Sequence, residues 1–115
     1  MTALITRDQL RKEIAARTVT VVEALGAGYY ESGHLPGAIN IPHTEVAELA
    51  GSLLPDKRAS IVTYCSNTAC PNSGIAARAL IALGYSNVRK YAEGKQDWTE
   101  AGLPIESGML GQAAA

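Results

Sequence analysis

An α/β domain with a central parallel β-sheet and helices on both faces is the fold class this sequence predicts. Short β-branched runs alternate with stretches of helical periodicity along the chain, the order from which parallel sheets are built. The 115 residues are 47% apolar, which suits one domain with one core and is inconsistent with disorder. Mid-chain, a strand, a loop and a helix follow one another directly. Ser60-Ile61-Val62-Thr63-Tyr64 runs into Cys65, small and turn-forming residues come next, and apolar residues then recur at Ile75, Ala76, Ala79, Leu80 and Leu83.

The remaining elements are read in order. Thr6, with Gln9 three residues later, predicts a capping box that opens a helix over residues 7–16 and buries Leu10 and Ile14. Thr18-Val19-Thr20-Val21-Val22 is a β-branched run and predicts a strand ending near Glu23. Gly26, Ala27 and Gly28 turn the chain, and Tyr29-Tyr30-Glu31-Ser32 predicts a single helical turn before Gly33. Ala38-Ile39-Asn40-Ile41 is a short strand between Pro36-Gly37 and Pro42. Thr44 is placed to cap a helix through Leu54, with Pro55-Asp56-Lys57 as its exit turn. Gly84 falls at the C′ position of the helix after Cys65. Asn87-Val88-Arg89-Lys90-Tyr91 predicts a further strand. A short helix over residues 95–101 carries Trp98 and stops at Gly102 and Pro104. A single domain is expected over residues 4–106, with residues 107–115 as a flexible tail. There is no internal repeat and no interdomain linker.

Charge narrows the function classes. With 10 basic against 11 acidic residues, nothing suggests a nucleic-acid surface or an electrostatically bound membrane protein. No apolar run approaches the ~20 residues that span a bilayer. Residues 1–7 lack the charged start and apolar core of a signal peptide, so a cytoplasmic location is expected. Two cysteines in such a domain are expected to be reduced rather than a disulfide framework.

Cys65 is the candidate site. A cysteine at the carboxyl end of a strand, before a loop that leads into a helix, stands where open α/β folds place their ligands. Loop N–H groups and the positive end of the helix dipole converge there and favour a thiolate or an anion attached to it.

Three stretches then resemble one family. Glu31-Ser32-Gly33-His34-Leu35-Pro36-Gly37-Ala38-Ile39-Asn40-Ile41-Pro42 is similar to the first signature of the rhodanese-like domains. Tyr91-Ala92-Glu93-Gly94-Lys95-Gln96-Asp97-Trp98-Thr99-Glu100-Ala101-Gly102-Leu103-Pro104 is similar to their C-terminal signature. Tyr64-Cys65, followed by a loop and a helix, matches the position of their active-site cysteine. The resemblance implies sulfurtransferase chemistry. Cys65 would attack a small sulfur donor, thiosulfate or a persulfide, and become a persulfide itself. The backbone of Ser66, Asn67, Thr68, Ala69, Cys70, Pro71, Asn72 and Ser73 would cradle the outer sulfur, which passes to a thiol, to cyanide or to a partner protein. No metal or cofactor is called for. A cysteine pair five residues apart, with His34 and His43 far upstream, matches no closed zinc site.

Three departures from the family pattern refine the expectation. The family loop has four residues between the cysteine and an arginine or lysine, which Ser or Thr follows; this chain has Cys70 in the basic position, or Asn72 if Ser73 is aligned with the family Ser/Thr. Without a loop cation to grip a sulfonate, thiosulfate should be a poor donor and a neutral persulfide a better one. For the same reason a phosphatase is disfavoured, since phosphate esters need that arginine. The first core strand ends Glu23-Ala24-Leu25 where the family has Asp-Val-Arg, which predicts an altered loop near the site. A second thiol on the same loop could resolve a Cys65 persulfide or sulfenate into a disulfide, but Cys70 is expected to fill space before Pro71. The alternative is a non-catalytic or redox-sensing module in which Cys65 and Cys70 form a disulfide. His34 is expected to hold its turn, His43 to lie at the surface, Trp98 to anchor the core and Arg78 to be solvated.

Overall fold

The computed structural model describes residues 2–108. The elements are β1 (Ala3–Leu4), α1 (Arg7–Ala16), β2 (Thr20–Glu23), α2 (Ala27–Ser32), β3 (Ile39–Asn40), α3 (Val46–Leu53), β4 (Ile61–Tyr64), α4 (Asn72–Ala82), β5 (Val88–Tyr91) and α5 (Gly94–Glu100). The five strands form one sheet in the order β1-β5-β4-β2-β3, and every pairing is parallel.

Burial follows from that topology. In β4 all four residues are buried, because helices cover both faces of the sheet. Alternation sends Ile61 to one side and Val62 and Tyr64 to the other. Ile61, with Val22, Val46, Ala50, Ala76 and Leu80, builds the core beneath α3 and α4. Val62 and Tyr64, with Leu10, Tyr30, Tyr91 and Trp98, build the core beneath α1, α2 and α5. Each fully buried leucine or isoleucine contributes about 2 kcal/mol through apolar area removed from water.

The residues expected to be structural are so. Trp98 is buried and its Nε1 donates to Pro104 O at 2.8 Å. His34 stacks on Tyr30 with ring centroids 3.7 Å apart, and its Nδ1 lies 2.7 Å from Tyr30 O. Its backbone exchanges two hydrogen bonds of 2.8 Å with Glu106, which fastens the C-terminal segment to the turn. Gly84 ends α4 with φ +99°, as its C′ position requires. Arg78 is exposed, and His43 is half-buried just ahead of α3.

Several boundaries differ from the sequence reading, each for a local reason. β1 went unread because two exposed residues on a sheet edge carry no pattern. β2 begins at Thr20, not Thr18. Arg17 adopts φ 59° to end α1 and Thr18 N–H still closes onto Glu13 O at 3.0 Å, so residues 17–18 belong to the helix exit. Gly26 to Gly28 do not turn the chain. Gly26 is the N-cap of α2, its carbonyl receiving the N–H groups of Tyr29 and Tyr30. Thr44 does not cap α3. Glu45 is its N-cap, held by a 2.8 Å bond from its N–H to Pro42 O. Thr6 does cap α1, accepting from Gln9 N–H at 3.2 Å, but the Gln9 side chain turns to Glu13 at 2.9 Å and leaves the reciprocal half of the box unmade. Of the residues read as a tail, Gly108 donates its N–H to Glu31 O at 2.8 Å, and residues 109–115 lie outside the described residues. No helix among the described residues is long and apolar enough to cross a membrane.

Tyr85 closes the α3 side of the core. Its hydroxyl lies 3.1 Å from Ala50 O and 2.5 Å from Leu54 O, where α3 runs out of backbone partners. Tyr85→Phe should cost about 1–3 kcal/mol in urea unfolding with an unchanged slope, because the Leu54 carbonyl loses its donor.

Candidate active site

β4 delivers Cys65 to the carboxyl end of the sheet, and α4 begins seven residues later. Thr63 Oγ1 donates to Ser73 O at 2.9 Å, so the strand itself holds the first turn of α4 against the sheet. The loop between them is shaped by Asn67. Its side-chain oxygen accepts from Ala69 N–H at 3.0 Å and its carbonyl accepts from Cys70 N–H at 3.1 Å. That tight turn doubles the chain back and sets Cys70 against Cys65. The Cys65 thiol donates to Cys70 O at 3.3 Å. Both cysteines are free, Cys65 buried at 1% exposure and Cys70 half-buried.

The donors of the loop are divided between the two sulfurs. Ser73 presents both its hydroxyl and its N–H to Cys65. The N–H groups of Asn72 and Ser66 face Cys70. The Ala69 and Cys70 amides are engaged in the loop's own turn, Thr68 is exposed at its tip, and Pro71, which has no N–H, is the N-cap of α4. The electrostatics follow. Burial pushes the Cys65 thiol up, the Cys70 thiol beside it adds to this, and the Ser73 donors only partly oppose them. Burial also acts on Cys70, but the hydrogen bond from Cys65 and the amides of Asn72 and Ser66 outweigh it and bring Cys70 down. Burial thus opposes the thiolate expected at Cys65. In the resting site a carbonyl and a second thiol face its sulfur, and Cys70 is the more acidic thiol.

α5 supports the loop from outside. Its first N–H groups have no partner within the helix, and those of Lys95 and Gln96 donate to Cys65 O and Ser66 O, both at 2.8 Å. Gly94 makes the close approach possible. It adopts φ +72°, and a Cβ there would lie 2.5 Å from Cys65 O and 2.8 Å from the Ser66 carbonyl carbon.

Two site residues were not read as such from the sequence. Glu23, at the end of β2, is fully buried. Its Oε1 accepts from Tyr64 OH at 2.6 Å and from Lys95 Nζ at 3.0 Å, while Oε2 has no hydrogen-bond partner. Tyr64 in turn accepts from Leu35 N–H at 3.0 Å, and burial with the Glu23 carboxylate beside it keeps its phenol protonated. Lys95 also donates to Tyr29 O at 3.0 Å. Their signal was the strand end that keeps an acid but lacks the family arginine, since a buried carboxylate then needs a cation from elsewhere. Beside this pair a cleft of about 440 Å³ opens along the loop, between Tyr29, Ser66, Asn67, Lys95 and Ile105.

Gly94→Ala should cost about 2–3 kcal/mol in thermal unfolding, from its left-handed conformation and the displaced Cys65 and Ser66 carbonyls. At pH 7 iodoacetamide should label Cys70 ahead of Cys65. Labelling of Cys65 should climb only as pH rises past the ~8.5 of an ordinary free thiol, because the thiolate forms as pH passes a raised pKa. Peptide mapping reads the order, and Cys65 labelled first at pH 7 would contradict it.

The chain is 36% identical over 104 residues to the HTH-type transcriptional regulator Rv0324 of Mycobacterium tuberculosis, covering 90% of this chain and 45% of the regulator. It is 41% identical over 59 residues to the thiosulfate sulfurtransferase PspE of Escherichia coli, covering 51% of this chain and 55% of that protein. It thus spans about half the length of these curated relatives. Among solved structures, the BH2092 protein of Bacillus halodurans superposes with a TM-score of 0.85 at 27% identity, covering 92% of this chain and 77% of that one. A family model for the rhodanese-like domain matches residues 6–101, and the chain belongs to the rhodanese-like domain family.

Proposed function

We propose that this domain is a sulfurtransferase in which Cys65 carries the transferred sulfur as a persulfide. The observation that supports this most directly is the Cys65 sulfur at the end of β4, met by the Ser73 hydroxyl and N–H at the start of α4. The relation to a thiosulfate sulfurtransferase supports the same chemistry. Cys65 reacts as its thiolate, its proton passing to solvent. The Cys65 thiolate attacks the terminal sulfur of a small persulfide, a new S–S bond forms, and the donor leaves as its thiolate. A thiol, cyanide or a partner protein's thiol then attacks the outer sulfur, and Cys65 departs as thiolate toward the Ser73 donors.

A persulfide is the better donor. Of the residues lining the cleft only Lys95 is cationic, and Glu23 and the Tyr29 carbonyl already hold its ammonium. Two reduced cysteines on one loop suit a reducing compartment such as the cytoplasm. A second reading, favoured by the relation to a transcriptional regulator, makes the domain a sensing module whose Cys65–Cys70 state reports sulfur or oxidants to a larger protein.

Thiocyanate formation from cyanide tests the first reading. With glutathione persulfide as donor, wild type should exceed the uncatalysed rate and Cys65→Ser should fall back to it. Thiosulfate should be poorer by about tenfold or more, the equivalent of one missing charge-assisted contact. Full activity in Cys65→Ser would remove Cys65 from the reaction. No activity from wild type with either donor would move the assignment to the sensing module.

A further inference from the structure

Cys70 stands where no space-filler needs to be. The Asn67 turn folds the loop so that Cys70 lies against the Cys65 sulfur, the atom that becomes the inner sulfur of a persulfide. The Cys70 carbonyl, 3.3 Å from the same sulfur, packs the backbone of Cys70 directly on it. Two free cysteines already in contact through the Cys70 carbonyl need little movement to bond, whereas a pair on distant backbones cannot be bridged.

We propose, resting on the Cys65 persulfide assigned above, that Cys70 is a second catalytic thiol that resolves this persulfide and releases its outer sulfur as hydrosulfide. The Cys70 thiolate attacks Cys65 Sγ. The Cys65–Cys70 disulfide bond forms, the bond between Sγ and the outer sulfur breaks, and the outer sulfur leaves with that electron pair and its proton as HS⁻. The two cysteines are oxidised by two electrons and the sulfane sulfur is reduced by two. No outside oxidant enters the step, and a small thiol reductant restores both thiols before the next cycle.

Geometry selects the inner sulfur over the outer. Attack on the outer sulfur would only move it onto Cys70, leaving it available for return to Cys65 or for transfer. Attack on the inner sulfur expels a small anion that reaches water past the half-buried Cys70. Burial also raises Cys65, making it the poorer leaving group, and the amides of Ser66 and Asn72 favour Cys70 as the attacking thiolate. Because the reaction is intramolecular, Cys70 outcompetes micromolar external thiols, and added acceptor at high concentration diverts the sulfur into transfer. The domain would then reduce sulfane sulfur to sulfide whenever acceptors are scarce.

The test is an anaerobic incubation of wild type, Cys70→Ser and Cys65→Ser with equimolar glutathione persulfide, read at completion. Sulfide is trapped with monobromobimane and the protein is measured by intact mass after iodoacetamide quenching. Wild type should release one sulfide per chain and lose two hydrogens. Cys70→Ser should keep one added sulfur and release none, and Cys70→Ala should repeat that result if the missing thiol is the cause. Wild type that keeps its added sulfur, or sulfide release undiminished in Cys70→Ser, would overturn the resolving role. No sulfur gained by Cys70→Ser, or sulfur gained equally by Cys65→Ser, would strike down the Cys65 persulfide and the resolving step with it.

Discussion

The reactive end of this domain depends on two hydrogen bonds from the start of α5 to the carbonyls of Cys65 and Ser66. A strand that ends at the edge of a parallel sheet leaves its last carbonyls without partners, and a helix that begins nearby leaves its first amides without partners. Docking Lys95 and Gln96 onto Cys65 and Ser66 satisfies both sets at once, at 2.8 Å each. The loop that follows Cys65 therefore starts from a backbone that cannot rotate freely. That constraint is why its short turn at Asn67 carries Cys70 onto the Cys65 sulfur and not away from it. It also explains the glycine in the C-terminal signature, because any Cβ at Gly94 would enter the Cys65 carbonyl.

The buried Glu23 belongs to the same construction. A carboxylate in this interior demands hydrogen bonds and a cation. Tyr64 supplies one hydrogen bond from β4, and Lys95 supplies the charge from α5. The family places its cation two residues along the same strand end. Here the charge comes from a distant element, and the loop after β2 is released from that duty. Lys95 thereby joins β2, the Tyr29 carbonyl of α2 and the start of α5 around one ammonium group, at the wall of the cleft beside the loop. The same pairing leaves that ammonium little capacity for a sulfonate.

The fold was legible because its signals are periodic and local. Alternating β-branched and helical runs, the apolar stripe after Cys65, Gly84 at a helix end and Trp98 in the core all depend on residues near each other in the chain. What escaped depends on partners far away. β1 is a strand only because β5 offers it an edge at Arg89 and Lys90. Thr44 yields the start of α3 to Glu45 because Pro42 receives the Glu45 amide. Glu23 and Lys95 lie 72 positions apart, and no local pattern announces a pair at that separation. The position of Cys65 was legible for the first reason. Its acidity was not, because it follows from which amides and carbonyls point at which sulfur.

That division of donors is the chemical core of the site. A loop that aimed every amide at Cys65 would make it a strong thiolate and would leave a second cysteine with nothing to stabilise its own negative charge. This loop gives Ser73 to Cys65 and the amides of Ser66 and Asn72 to Cys70. The consequence is a pair with unequal roles. The buried thiol, protonated at rest and shielded from bulk water, suits the storage of a reactive sulfur. The half-buried thiol, more acidic and on a residue in contact with it, suits attack once that sulfur is in place. A basic residue in the position of Cys70 would bind an anionic donor but could form no bond to Cys65. On the proposed chemistry, a thiol there would exchange affinity for anionic donors for a second reacting atom, and would couple the fate of a bound sulfur to the supply of thiols around the protein.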